Sequence, residues 1–234
     1  MKTTIQDKTV LVNSVFSKVY KKYDLMNDIM SMGIHRIWKN KFLNWMNPQQ
    51  NTSLIDVASG TGDIANLFSK KTNHLNQIFC VEPNNEMFQI GKTNLKHSSN
   101  IKWRKASAEK LPFKNDKFDF YTISFGIRNV SNINLTLKEA FRVLKPGGRF
   151  MCLEFSKIKN EIVNLLYQQY SKAIPFVGKY IVGSSQPYDY LIKSINEFYT
   201  QDELVDLMID SGFSNVEYRN LSNGISAIHS GWKV

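Results

Sequence analysis

Residues 56–63 read Asp56-Val57-Ala58-Ser59-Gly60-Thr61-Gly62-Asp63, and their neighbours decide the fold. Upstream, residues 53–58 form a short apolar run; downstream, residues 64–70 repeat apolar side chains at helical spacing. The octet is therefore a strand-to-helix turn. Gly60 and Gly62 let the backbone turn tightly and approach a ligand with no Cβ in the way. The helix that follows offers unpaired amide donors at its N-terminus. Twenty residues beyond Gly62, Glu82 closes the next apolar run, 77–82. A carboxylate there suits the vicinal hydroxyls of a ribose.

The same alternation continues outward. Residues 101–104, 118–124 and 149–155 are strand candidates, with helical patterns over 86–95 and 134–144 between them. Strands separated by helices predict βαβ units and a parallel sheet. Lys145-Pro146-Gly147-Gly148 marks a sharp turn before the Arg149 run. Residues 157–199 interrupt the pattern with a predicted helix over 160–173, then Pro175, Gly178, Gly183 and Tyr188-Asp189-Tyr190. An insertion of this length predicts a lid or substrate element. Thr200-Gln201-Asp202-Glu203 is a capping box that opens a helix ending at Gly212. Residues 215–221 and 225–232 form a hairpin across Ser222-Asn223-Gly224, a turn favoured by Asn-Gly. Ahead of the octet, Val12, Val15, Phe16, Val19 and Tyr23 share one helical face, and Asn47-Pro48 ends a helical region. The expected organisation is an N-terminal helical cap, 1–48, and one α/β domain, 49–234, with a substrate-side insertion at 157–199.

Composition sets limits. The 234 residues hold 30 Lys+Arg against 20 Asp+Glu, a net charge of +10, and two cysteines. The cysteine count excludes a disulfide scaffold. Apolar runs such as Ile78-Phe79-Cys80-Val81 fall far short of the roughly 18 residues a spanning helix needs. The N-terminus lacks the apolar region of a signal peptide, so a soluble cytoplasmic protein is expected. The positive balance favours an anionic membrane surface or nucleic acid. Only six of the 30 basic residues are Arg, however, and an AT-rich genome would produce the same lysine excess.

Two cofactors fit the octet. Gly60-x-Gly62-x-x-Ala65 satisfies the dinucleotide fingerprint, which leaves NAD open on that motif alone. Asp56 and Asp63 would repel a pyrophosphate, whereas acidic lining suits the ammonium and sulfonium of S-adenosylmethionine. Ala106-Ser107-Ala108-Glu109, followed by Leu111-Pro112-Phe113, resembles the adenine-contacting loop of class I methyltransferases, with Ser107 and Ala108 at the base edge. After the fourth strand the chain reads Ser124-Phe125-Gly126-Ile127-Arg128-Asn129-Val130. It lacks the Asp/Asn-Pro-Pro-Tyr/Phe grip used in amine methylation. Cys80 and Cys152 lie in apolar runs, where free Cys is usually inert packing, so no cysteine nucleophile for RNA methylation is expected. Nucleic acid is thereby excluded as the leading partner. No His/Cys/Asp cluster has metal-ligand spacing, so no metal is expected.

Over nearly its whole length the chain resembles the ubiquinone/menaquinone biosynthesis C-methyltransferases. The matching segments include Tyr23-Asp24-Leu25-Met26-Asn27-Asp28, Ser31-Met32-Gly33-Ile34-His35-Arg36-Ile37-Trp38-Lys39, Asp56 to Asp63, Ser124 to Val130, and Leu153-Glu154-Phe155-Ser156-Lys157. The resemblance implies a Rossmann-like class I methyltransferase sheet, mostly parallel with a C-terminal antiparallel hairpin. It implies methyl transfer from S-adenosylmethionine to a ring carbon of a polyprenylated quinol. Cofactor roles carry onto Thr61, Glu82, Ser107, Ala108 and Ser124. Ser59 stands where the family usually has Gly, Glu82 where Asp is usual, and Ser107 where Asn or Asp is common.

A quinol carbon is a poor nucleophile until its neighbouring hydroxyl, with a pKa near 10 like that of Tyr, loses its proton. Arg128, at the ligand-facing end of the fourth strand, is the candidate for stabilising the phenolate, with a structural ion pair as the competing reading. Asn129 and Tyr23 are candidates for hydrogen bonds to the quinol oxygens. His35 and His229 are read as structural. Tyr188, Tyr190 and residues 26–32 are expected to line a channel for the isoprenoid tail. The remaining expectations are peripheral contact with the inner face of an anionic membrane, contact with other quinone-biosynthesis enzymes, and room for a homodimer.

Overall fold

The computed structural model describes residues 33–159 and 186–234 without a break, and also 28, 29, 31, 161, 164, 165, 167–171 and 174. Tyr23, the helical face from Val12 to Tyr23, and residues 160, 162, 163, 166, 172 and 173 of the expected 160–173 helix lie outside the described residues, while the described residues of that segment are helical.

Seven strands form one sheet: β1 (Leu54–Val57), β2 (Ile78–Val81), β3 (Ile101–Arg104), β4 (Phe118–Ser124), β5 (Leu144–Phe155), β6 (Ser214–Leu221) and β7 (Ser226–Trp232). Their order is β3-β2-β1-β4-β5-β7-β6. The first five are parallel, and β7 runs antiparallel between β5 and β6. Helices α1 (His35–Met46), α2 (Asp63–Lys71), α3 (Asn85–Asn94), α4 (Ile133–Val143), α5 (Gln186–Asn196) and α6 (Gln201–Asp210) surround it.

Central strands buried on both faces read as continuous apolar runs, which is why β1 and β2 are buried at every position. Successive residues feed opposite cores. Leu54 joins Trp38, Phe42 and Phe68 on the α1–α2 face. Ile55 and Val57 join Tyr121, Leu137 and Leu204 on the α4–α6 face. Asp56 breaks the apolar run of β1 yet is only 1% exposed.

Local signals fix most helix starts. Asn132 caps α4 by accepting from Leu135 N, and Asn84 caps α3 by accepting from Met87 N. The capping box of Thr200 and Glu203 forms at α6. By contrast, α2 begins at Gly62 (φ 92°) with no side-chain cap, leaving its first amides without a side-chain acceptor.

Two expectations need adjustment, for β5 and for the insertion. β5 starts at Leu144, with Leu144 opposite Phe118 and Arg149 opposite Phe120, so residues 145–148 loop out as an irregularity inside the strand. The hairpin turn is Ser222–Gly224, as expected. Ser222, Asn223 and Gly224 all take positive φ, and Trp38 Nε1 donates to Ser222 Oγ at 3.0 Å. Tyr188 and Tyr190 lie on a helix, α5, that the turn-like composition of the insertion concealed.

Candidate active site

The C-terminal ends of β1 and β4 meet at one open cleft, and Glu82, after β2, holds its glycine turn through Gly60 N. The cleft is lined by Asp56, Gly60, Thr61, Ser124 and Phe125, with Lys39 at one side. Four of the sequence candidates therefore share a wall.

Asp56 Oδ1 accepts from Thr122 Oγ1 at 2.7 Å, while Oδ2 is buried with no protein partner. Burial pushes its carboxyl up to about 7. The turn after it is tied down from both sides. Ser59 Oγ donates to Asp56 O at 2.6 Å and accepts from Val81 N at 3.1 Å. The hydroxyl that departs from the usual family Gly thus links β1 to β2. Glu82 accepts from Gly60 N through Oε2 and from Asn84 N through Oε1, both at 2.9 Å. Glu82 too is buried, and burial pushes it up to about 7 despite those two amides. Each oxygen keeps a lone pair for a hydroxyl.

The backbone here is held in sparsely populated conformations. Ala58 (φ 52°), Gly60 (56°) and Gly62 (92°) alternate through the turn, and Phe125 (54°) faces them from the end of β4. Gly126 is where the two loops touch, since a Cβ added there would lie 2.5 Å from Ala58 Cβ. Ser124 Oγ is a second buried oxygen with no partner. Gly62, Glu82, Ser107 and Ala108 are not among the residues that line the cleft. Ser107 is exposed on the loop after β3, and Ala108 packs in the α4–α6 core.

Beyond β4, residues Ile127–Asn129 form a single 3-10 turn that carries Arg128 and Asn129. Arg128 is buried. Its Nη1 pairs with the Glu154 carboxylate and donates to Phe125 O at 2.9 Å, and its guanidinium stands 5.6 Å from the Phe155 ring centre. Its Nε is buried without a partner. Asn129 Oδ1 accepts from Tyr190 Oη at 3.0 Å. Arg128 and Tyr190 also wall a larger space of about 350 Å³ with Ile127, Val130 and Phe198. Tyr188, by contrast, is wholly buried in the α1–α2 core.

The histidines hold structure. His229 Nε2 donates to Gln201 O at 3.0 Å, and burial drives its pKa down to about 4. His35 Nε2 lies 2.9 Å from Asp28 Oδ1. Burial pushes the thiols of Cys80 and Cys152 well above their usual range, as inert packing requires.

Two contributors escaped the sequence reading. Lys39 is buried, lines the cleft and pairs with Asp63 at 2.5 Å. The signal was there: Lys39 follows His35 by four residues and precedes Phe42 by three, on the buried face of α1. The other is Glu154, discussed below.

Residues 2–233 match the profile of the ubiE/COQ5 methyltransferase family. The chain belongs to that family. The ubiquinone/menaquinone biosynthesis C-methyltransferase UbiE of Rickettsia bellii is 48% identical over 240 aligned residues, covering 100% of this chain and 96% of the relative. That of Rickettsia massiliae is 50% identical, covering 96% and 93%. Among solved structures, a SAM-dependent methyltransferase of Thermotoga maritima, described as a possible histamine N-methyltransferase, superposes with a TM-score of 0.69 at 20% identity, covering 95% of this chain and 100% of that one. A phosphoethanolamine N-methyltransferase of Haemonchus contortus in complex with S-adenosylhomocysteine gives 0.63 at 10%, covering 84% and 52%. These two likenesses establish the class I methyltransferase fold.

A ubiE/COQ5 methyltransferase takes its methyl group from S-adenosylmethionine, and the cleft fits that donor. Two buried oxygens without partners, Asp56 Oδ2 and Ser124 Oγ, face a cleft suited to a cation. The uncapped amides of α2 suit a carboxylate, and Glu82 suits a ribose diol. Because the loops meet at Gly126, Gly126→Ala should push Ala58 and the glycine turn out of place. We expect about 1–3 kcal/mol of lost stability together with weaker cofactor binding. Thermal melts with and without S-adenosylmethionine measure both, and an unchanged melting temperature would refute the contact.

Proposed function

We propose that this methyltransferase moves a methyl group from S-adenosylmethionine to a ring carbon of a polyprenylated quinol. The substrate is demethylmenaquinol, 2-methoxy-6-polyprenyl-1,4-benzoquinol, or both. The observation that carries this reading is near-full-length identity of 48–50% with relatives bearing the UbiE name. The site chemistry supports it. The bound donor supplies a methyl already activated by a sulfonium, so no metal is called for. What the protein must add is a nucleophilic carbon. Arg128 keeps its charge at any working pH and favours the phenolate form of a hydroxyl beside it. A water held by the guanidinium takes the hydroxyl proton to solvent. Asn129, steadied by Tyr190, and Tyr23 hold the quinol oxygens by hydrogen bonds. The cap over 1–48 and the insertion over 157–199 enclose the ring, and the space beside Arg128 and Tyr190 takes the first isoprene units.

Purified protein incubated with S-adenosylmethionine and a reduced short-tail quinol should yield a product heavier by one methylene. Cofactor binding without product from either quinol would overturn the proposal.

The tail places the substrate in a membrane. Among the described residues no helix is long and apolar enough to cross one. We propose that the lysine-rich surface docks the enzyme on anionic lipid at the inner face, alongside other quinone-biosynthesis enzymes and with room for a homodimer. Cosedimentation with anionic vesicles should then weaken as salt rises, and salt-independent binding would leave the lysine excess to genome composition.

A further inference from the structure

Glu154 is the penultimate residue of β5 and is 1% exposed. The register that places Ser124 opposite Leu153 brings the ends of β4 and β5 level, so the turn after β4 folds over Glu154. Its carboxylate gathers three donors: Arg128 Nη1, Phe155 N at 2.8 Å and Arg128 N at 3.5 Å. Both the side chain and the main chain of Arg128 are therefore gripped by one acid. Phe125 O and the Phe155 ring complete the seat of the guanidinium.

Three titratable groups beside the pair are neutral. Burial pushes Tyr167 up to about 12, and it pushes Tyr190 and the Cys152 thiol upward as well. Those three are the titratable side chains that feel Arg128 or Glu154 from the 161–174 segment, α5 and β5. Two further charged groups line the same space as Arg128: Lys193 of α5 and Glu197 just beyond it, exposed residues of opposite sign. A fold needs no such pair, since a matched apolar pair is often as stable. An acid that gives two of its three contacts to one arginine does, however, set where that arginine points and how strong its field is.

We infer that Glu154 is a positioning residue for methyl transfer: it fixes the Arg128 guanidinium toward the substrate hydroxyl and sets the strength of the positive field there. The inference rests on the quinol reading and on the role given to Arg128. Two consequences follow. Without the carboxylate the guanidinium loses its orientation, so turnover falls. A negative charge near a phenol raises its pKa, so removing that charge lowers the phenol pKa. The rising limb of kcat against pH then moves to lower pH.

The experiment compares unchanged chain, Glu154→Gln and Glu154→Asp with S-adenosylmethionine and a short-tail quinol. Circular dichroism sets the folded fraction and calorimetry the cofactor affinity. For folded Glu154→Gln we expect kcat down about a hundredfold, cofactor affinity within about twofold, and the limb shifted to lower pH. Glu154→Asp keeps the charge; it should restore the limb and recover part of kcat. Folded Glu154→Gln with unchanged kcat, or with reduced kcat but an unmoved limb, overturns the inference. Should Glu154→Gln not fold, Glu154→Asp decides. A tenfold or greater fall in kcat supports the inference, and unchanged kcat overturns it. An unchanged chain that makes no product overturns the quinol reading and this inference with it, whereas an active unchanged chain isolates the inference.

Discussion

Arg128→Lys should lower kcat by about 10²–10³-fold, the usual cost of removing one positioned donor from a developing anion, while S-adenosylmethionine affinity changes by no more than about twofold. Charge alone does not rescue it. The guanidinium reaches Phe125 O and the Glu154 carboxylate from one nitrogen and stands near the Phe155 ring, with Nε left over as a buried donor. An ammonium is a point charge on a flexible stem and cannot reproduce that planar seat. The cofactor cleft is lined by Ser124 and Phe125 but not by Arg128, so binding and turnover should separate. Stability should separate from turnover as well. Arg128→Met leaves the buried Glu154 with backbone amides but no cationic partner, a loss of about 3–5 kcal/mol. Adding Glu154→Leu should recover about 2–4 kcal/mol of that, because the unpaired charge is gone. The double variant should melt near the unchanged protein and remain inactive. Urea melts and kcat on the same samples test this. A stable double variant with ordinary turnover would show that the pair is merely structural.

How much of this was legible in sequence follows from distance along the chain. The turn from Asp56 to Asp63 is a local device: its glycines, its strand and its helix lie within a few residues, so its shape could be read, while the motif alone left both NAD and S-adenosylmethionine open. Glu82 was also readable, because one βα unit separates it from the glycines and parallel pairing sets β2 beside β1. The Arg128–Glu154 pair was not, although both residues stand in quoted motifs. Its formation depends on the β4–β5 register and on a one-turn 3-10 helix that no periodicity reveals. Lys39 was hidden by its type, since a lysine is normally assigned to the solvent side. Helix α5 was hidden by Pro187, which reads as a breaker yet sits in the first helical turn, where its missing N–H costs nothing. Its buried face, Tyr188, Leu191 and Ile195, has helical spacing and could have been found.

The second large effect is on cofactor affinity and its pH dependence. S-adenosylmethionine is a cation that prefers Asp56 and Glu82 ionised, yet burial holds both carboxyls up to about 7 in the free protein. Between pH 7.5 and pH 6 each goes from mostly ionised to mostly protonated. Affinity should therefore weaken on acidification by close to tenfold for each carboxylate the cofactor needs charged. The free protein should show the opposite sign. A carboxyl whose folded pKa lies above its unfolded value binds more protons when folded. These two groups consequently favour the fold most below about pH 4 and lose that contribution as pH rises through about 7. Asp119 and Glu139 oppose this: Lys145 and Arg142 hold them below the usual range, so their contribution is lost on acidification below it. The difference in melting temperature with and without cofactor cancels those background terms and should grow from pH 6 to pH 7.5. Asp56→Asn should flatten it by one carboxylate, because an amide oxygen can still accept from Thr122 but carries no charge. Glu82→Ala is the stronger case. It removes the acceptor proposed for the ribose and also frees Gly60 N and Asn84 N, so the turn that shapes the cleft loses its clamp. Charge-assisted bonds of this kind are worth about 1.5–3 kcal/mol each, which sets the expected loss of affinity at a hundredfold or more. Titration calorimetry at pH 6 and 7.5 on the three proteins decides it: equal affinities at both pH values would mean that the cofactor meets carboxylates already charged, and that burial in the free protein does not govern binding.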